Sequence, residues 1–350
     1  MLFPAWVFEL ILLVQFIATL VLSLTDRITS RSVCHFLYSG VFGTLFYHFY
    51  FLAIYNDSPY LINADDYIFF GKIHSSVPIF VLFLWSSVTT CIHAVSNYLI
   101  LPSSFHLQVL LDGLLTFSFF LSFEYIGSLT SLWHHTSEAQ YYLLGAPTFY
   151  IFYHFFGGLF FSFFVRLSDL YVGLPDEPSS LIQRLSMVLK ESFRIGLCTI
   201  VSLTCLFLII LFAGIVSVFT GYNAPQLITF AVFVVLSLVI ALFKIPEWGR
   251  HHHRTESIWS LIPFFVLVPP QIIALISCFF DNLILLHIVL IIGNSLGTIL
   301  IVCLPYYKEF SMANTLKYIT IKPLLRTKSK QNVVYPETGT EINVTGMVDD

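Results

Sequence analysis

Residues 195–219 read IGLCTIVSLTCLFLIILFAGIVSVF, a run with no charged side chain, bounded by Arg194 on one side and Gly221-Tyr222-Asn223 on the other. As a helix rising ~1.5 Å per residue, this run is long enough to cross a hydrocarbon layer of about 30 Å. Eight more long, predominantly apolar runs lie near 5–24, 33–55, 77–98, 105–130, 146–168, 226–243, 258–280 and 283–305. The fold predicted is therefore an all-α integral membrane protein with about nine transmembrane helices.

Composition agrees. The chain has 350 residues, of which 57% are hydrophobic and 10% charged. A soluble domain carries roughly a quarter charged residues. The apolar excess is surface for membrane lipid, and the 37 Phe suit lipid contact and interfacial anchoring. A net charge of −4 gives no basic footprint for nucleic acid. The six cysteines (Cys34, Cys91, Cys198, Cys205, Cys278 and Cys303) fall in or beside the apolar runs with no CxxC spacing. They predict neither a metal site nor a disulfide framework, and no cofactor is expected.

The basic residues set the orientation. Segments after runs one, three, five, seven and nine hold 2, 0, 4, 3 and 6 Lys or Arg, the four including Arg166 at the end of run five, while the opposite segments hold only Lys72. Short loops rich in Lys and Arg stay cytosolic. The N-terminus is thus expected in the lumen or outside the cell, and the C-terminus in the cytosol. Endoplasmic reticulum and plasma membrane are not distinguished. The first run has no basic stretch before it and is read as a retained helix, stopped by Asp26, Arg27 and Arg31.

Four regions follow: a five-helix membrane region (1–168), an amphipathic cytoplasmic linker (169–194), a four-helix membrane region (195–305) and a disordered cytosolic tail (306–350). In the linker, Ser180 and Gln183 fit a capping box, and Leu181, Leu185, Val188 and Leu189 recur at helical spacing. In the tail, Lys317, Lys322, Arg326, Lys328 and Lys330 offer a contact for anionic lipid. His251-His252-His253 are adjacent, which is poor ligand spacing on a helix, and read as part of a basic loop. Helices two to five suggest a parallel repeat. Tyr67–Gly71 with Pro78, and Tyr141–Gly145 with Pro147, each precede a descending helix. A shared interfacial device, with Tyr at headgroup level and Gly and Pro at a turn, explains the same residues.

Ionisable groups inside a membrane are costly and mark candidate sites. His48, Glu124 and His154 fall toward the lumenal ends of helices two, four and five, and His134 lies in the loop above helix four. Asp112 lies in the cytoplasmic third of helix four. Burial would suit Glu124 to a general acid or base, with His48, His154 and His134 as partners. A proton-coupled carrier using Asp112 and Glu124, a metal site and a polar network that only fixes helix packing remain alternatives.

Around Trp133-His134-His135-Thr136, Tyr141–Pro147 and the matching Asp65–Pro78 stretch, over roughly 40–170, the chain resembles an uncharacterised eukaryotic multi-pass membrane family of nematode type. That family is a domain of unknown function with a paired Gly-Pro element at helix starts. The resemblance implies an aromatic–His element in each half. The second half keeps Trp133-His134, whereas the first has Leu61-Ile62. The outline is also faintly similar to membrane carotenoid hydratases. Together these readings favour a membrane-embedded enzyme acting on an apolar lipid or isoprenoid by acid–base chemistry; the alternative is a transporter or ligand-binding membrane receptor.

Overall fold

The helices begin and end where the apolar runs meet Gly, Pro or charged residues. They are α1 (Ala5–Thr25), α2 (Thr29–Tyr55), α3 (Phe80–Leu99), α4 (Phe105–Leu129), α5 (Thr148–Val172), α6 (Leu181–Thr220), α7 (Ala224–Phe243), α8 (Ile262–Ser277) and α9 (Leu285–Glu309). This computed structural model describes residues 5–25, 29–55, 72–73, 77–100, 104–130, 142–172, 181–220, 224–244, 261–280, 283 and 285–309. Over those residues the chain is almost entirely helical. Six helices are long and apolar enough to cross a membrane: Val7–Thr25, Phe80–Leu99, Phe105–Leu129, Thr148–Val172, Leu185–Val216 and Leu285–Pro305. Leu227–Phe243 and Ile262–Ser277 are shorter apolar helices. α2 is not among the six; it carries Arg31, His35, Ser39, Thr44 and His48.

Two short antiparallel hairpins accompany the helices. β1 (Lys72–Ile73) pairs with β2 (Val77–Pro78) between α2 and α3. β3 (Tyr142–Leu143) pairs with β4 (Ala146–Pro147) between α4 and α5. The second turns through Leu144 (φ 54°) and Gly145 (φ 84°). Two successive positive φ values are the mark of a type I′ turn, which matches the twist of paired strands. The Tyr–Gly–Pro pattern of residues 141–147 is thus a tight reversal that delivers the chain into α5.

α2 to α5 form the centre. α6 packs on α2 and α5, α1 lies against α2 and α3, and α8 lies against α3 and α4. Trp85, Phe42, Phe46, Phe120, Phe155 and Phe161 fill the interior and are fully or almost fully buried. Contact between helices is close where one has no side chain: a Cβ on Gly43 would fall inside the Trp85 indole, and one on Gly158 against the Thr116 hydroxyl. Small residues at such crossings let helices approach where no hydrophobic force drives them together. The outer faces of α6, α7 and α9 are apolar and exposed, including Phe212, Phe243 and Leu300.

α6 runs unbroken for 40 residues, so the expected linker helix (181–194) and the expected sixth span are one element. No Pro or Gly between Ser180 and Gly196 interrupts its turns. Glu191 turns inward, whereas Ile182, Leu185, Leu189 and Phe193 face out. Residues Met1–Pro305 make one compact unit; the remainder of the chain beyond Glu309, including the basic tail, lies outside the described residues.

Candidate functional site

The half of the bundle away from the hairpins holds a buried charge centre. Asp112 on α4 and Arg166 on α5 are 3% and 5% exposed, and their pairing distance is 2.8 Å. The guanidinium is saturated. Its Nε donates to Asp112 Oδ2 at 3.1 Å and to Ser162 Oγ at 3.0 Å. Nη1 donates to Asn97 Oδ1 at 2.7 Å and to Gln108 Oε1 at 2.9 Å. Nη2 donates to Asp112 Oδ2 and to Ser96 Oγ. Ser162 donates to the same carboxylate oxygen, and Gln108 Nε2 donates to the Ile100 carbonyl at 2.9 Å. Three helices thus meet on one arginine, which is what makes a buried charge tolerable.

Two imidazoles complete the centre. His93 on α3 places Nδ1 3.8 Å from Asp112 Oδ2, and its ring lies 4.6 Å from that of His35 on α2. Phe161 packs on the other side of His35. Asp112 Oδ1, both ring nitrogens of His93 and Nε2 of His35 have no hydrogen-bond partner among the described residues. One carboxylate oxygen is fully engaged while the other, together with two imidazoles, remains available. Such a set can take up, hold and release a proton. No group of three or more His, Cys, Asp or Glu able to hold a metal occurs among the described residues.

One turn beyond the centre, toward the same end, Asp169 of α5 accepts from Arg31 of α2 and from Arg194 of α6. Arg194 also pairs with Glu191. Tyr38 and Ser192 share a hydrogen bond of 2.8 Å between α2 and α6. These bonds tie α2, α5 and α6 together.

Of the residues expected to form the site, Glu124, His154 and His48 lie toward the hairpin end. His154 is fully buried in a box of rings: Phe120 at 4.1 Å, Tyr150 at 4.3 Å, Phe46 at 5.6 Å, Trp85 at 5.8 Å and Tyr47 at 6.0 Å. Its Nδ1 lies 2.8 Å from the Tyr150 carbonyl, and Nε2 lies 3.4 Å from Tyr47 Oη. With Nδ1 donating to the carbonyl, Nε2 is left to accept from the tyrosine. Glu124 is fully buried and sits one turn beyond Phe120 on the same face of α4. His48 is half-buried on α2. His134 lies outside the described residues, as do Trp133 and His135.

A third polar cluster joins α4 to α8 and α9. Ser122 donates to Gln271 Oε1 at 2.7 Å, and Asn294 Nδ2 donates to the Ser118 carbonyl and to Ser122 Oγ, each at 3.1 Å. Ser118 and Thr298 share a further bond. The cluster carries no charge and works as interhelical adhesive.

Asp112 lies in the first third of α4; sequence reasoning singled it out but counted Arg166 among the cytosolic basic residues. Arg166 is instead a buried residue of α5, so the charge tally of that segment includes one group held in the interior. His35 and His93 were not singled out. The available signal was the spacing Ser86, Thr89, Thr90, His93, Asn97, which puts polar groups on one face of an otherwise apolar helix.

Fold and centre together define a helical protein with several candidate membrane-crossing helices and an ionised interior. No protein-family model matches the chain, nor does any curated protein or solved structure.

Proposed function

We propose that this chain is a multi-pass membrane protein that performs acid–base chemistry on an apolar lipid or isoprenoid inside the bilayer. In this reading it has nine spans, with its N-terminus in the lumen or outside and its C-terminus in the cytosol. The reacting groups are His93, His35 and Asp112, with Arg166 as the positioning residue that holds the carboxylate. One observation carries the reading: available atoms of a carboxylate and two imidazoles lie together in the interior, beside an arginine with nothing left to donate. Buried polar atoms without partners are costly, and an interior that keeps several of them together has a use for them. Glu124 and His154, the first choice from sequence, become the packed wall of the hairpin half.

The chemistry asked of the centre is modest. His93 accepts or delivers one proton at a ring nitrogen, Asp112 stabilises the imidazolium that results, and His35 takes the second role. Apolar walls exclude bulk water, which strengthens each interaction. Untargeted lipid profiling of cells lacking the protein tests this. Restoration with the native chain should remove an accumulated precursor, whereas restoration with His93→Gln should not. An unchanged profile in the deletion, or full rescue by H93Q, refutes the assignment.

A proton-coupled carrier uses the same centre and is favoured by its burial between four helices. Substrate uptake in proteoliposomes that collapses with the pH gradient, with no product formed, would select it. The topology is tested by protease protection of a tag after Asp350 in sealed, cytosol-out vesicles. Digestion is expected, and a shielded tag refutes the orientation. Contact of the basic tail with anionic lipid is tested by vesicle flotation with and without phosphatidylserine; equal binding refutes it.

A further inference from the structure

α3 contains six hydroxyl-bearing or imidazole residues within the stretch 86–96, and they divide into two kinds. Ser87 donates back to the Phe83 carbonyl at 2.8 Å, and Ser96 to the His93 carbonyl at 3.0 Å. This is the ordinary fate of a hydroxyl in an apolar helix. Elsewhere in the chain Thr19, Ser23, Thr44, Thr116, Thr199 and Ser202 do the same. Ser86, Thr89 and Thr90 do not: their hydroxyls are buried and make no hydrogen bond among the described residues.

These three are not scattered. At 100° per residue, positions 86, 89, 90 and 93 fall on one stripe of the helix. The stripe ends at His93, beside His35 and the available oxygen of Asp112. It covers about 10 Å of membrane depth from Ser86 to His93. Its upper end faces α2 at Gly40, where a Cβ would collide with the Ser86 hydroxyl.

We propose that this stripe is a hydrated proton path, which connects the His93–Asp112 centre with the hairpin half of the bundle. It rests on the functional reading above only for what the proton is used for. A buried water bonds to about three polar groups that would otherwise have no partner. Ser86, Thr89, Thr90 and His93 supply such groups at one-turn intervals. Each hydroxyl or water takes one proton from above and releases one below, so only the receiving imidazole changes charge. No oxidant or co-reactant is needed.

The direction follows from the packing. Toward the end away from the hairpins the centre is closed by ion pairs, Arg166 with Asp112 and, beyond it, Arg31 and Arg194 with Asp169 and Glu191. Toward the hairpins the stripe is neutral. Among the described residues, the titratable groups of that half include Glu9 on α1, Tyr47 and His48 on α2, Cys91 on α3, Glu124 and Tyr125 on α4, Tyr150, Tyr153 and His154 on α5, and Tyr142 and Lys72 in the hairpins.

The test is deuterium exchange at the histidine C2 position, read by mass spectrometry on the full chain in lipid nanodiscs placed in D2O. It reports, residue by residue, whether water and protons reach an imidazole. In the native protein His93 should exchange despite its burial. In the triple variant Ser86→Ala, Thr89→Val, Thr90→Val its exchange should slow by about tenfold or more. Ser87→Ala, which removes a hydroxyl satisfied by its own helix, should leave the rate unchanged. His48, half-buried on α2, serves as the internal reference, and an unchanged rate there shows that the triple variant is folded. No exchange at His93 in the native chain, or an equal rate in the triple variant, overturns the path. Failure of the lipid-profile test with intact exchange would instead discard the enzymatic reading and leave the path standing.

Discussion

Replacement of Arg166 by Met removes the positive member of a buried pair and leaves the carboxylate of Asp112 uncompensated. Asp112 would keep the hydrogen bond from Ser162 but lose both guanidinium bonds to Oδ2, while its Oδ1 already has no partner. Loss of one partner from such a pair costs about 3–5 kcal/mol. Asp112→Leu strands the guanidinium and should cost a similar amount. The double variant removes both charges. It leaves weakened acceptors on Asn97 and Gln108, each worth roughly 1 kcal/mol or less inside a membrane protein. The double should therefore be less destabilised than either single variant, although simple addition would give roughly 6–10 kcal/mol. Equilibrium unfolding in mixed micelles, followed by tryptophan fluorescence, measures the cycle. If the double variant is as unstable as the sum of the singles, Asp112 and Arg166 do not stabilise one another and the centre is wrongly drawn.

Further outcomes can be measured in the same assay. Gly158→Ala should cost about 1–3 kcal/mol by forcing α5 from Thr116, whereas Gly293→Ala, with open space around its Cβ, should stay within about 0.5 kcal/mol. Thr116→Val, which loses the 2.7 Å bond to the Asp112 carbonyl, should cost about 0.5–1.5 kcal/mol. Gln271→Leu should cost about 1–2 kcal/mol by releasing Ser122 and Asn294, seen as a lower midpoint with an unchanged slope.

Most of the helical outline was legible because apolar runs of near-membrane length leave little choice of structure. Expected boundaries at 105–130 and 226–243 fall within two residues of α4 and α7. The turn at Gly145 was expected, but the strand pairing was not: strands of two residues carry no alternation pattern. The join of residues 181–194 to the next span was missed because a change of polarity was taken for a break, although nothing there stops a helix. The charge centre was half legible. Asp112 stands out in an apolar run, but its partner lies 54 positions away and looked like a loop arginine. Depth, not sequence distance, relates them: each sits about two turns from the same end of neighbouring antiparallel helices. Glu124 and His154 drew attention by type alone. The aromatic box around His154 depends on rings from four helices, which no local pattern encodes.

The tight reversal at Leu144-Gly145 has a consequence for how the chain enters a membrane. An Asp or Arg costs a helix about 2.5–3.5 kcal/mol of insertion at its centre and less toward its ends. α4 carries Asp112 and α5 carries Arg166, so each alone bears a penalty that its apolar residues must outweigh. α5 packs along α4, and the β3–β4 turn folds the chain back at the entry to α5, with β4 against both helices. The opposite charges can then neutralise one another before either helix is released into lipid. The pair should accordingly leave the translocation machinery together, as a single hairpin, and a long Gly-Ser insertion after Gly145 should strand α4 and α5 as separately and poorly inserted segments.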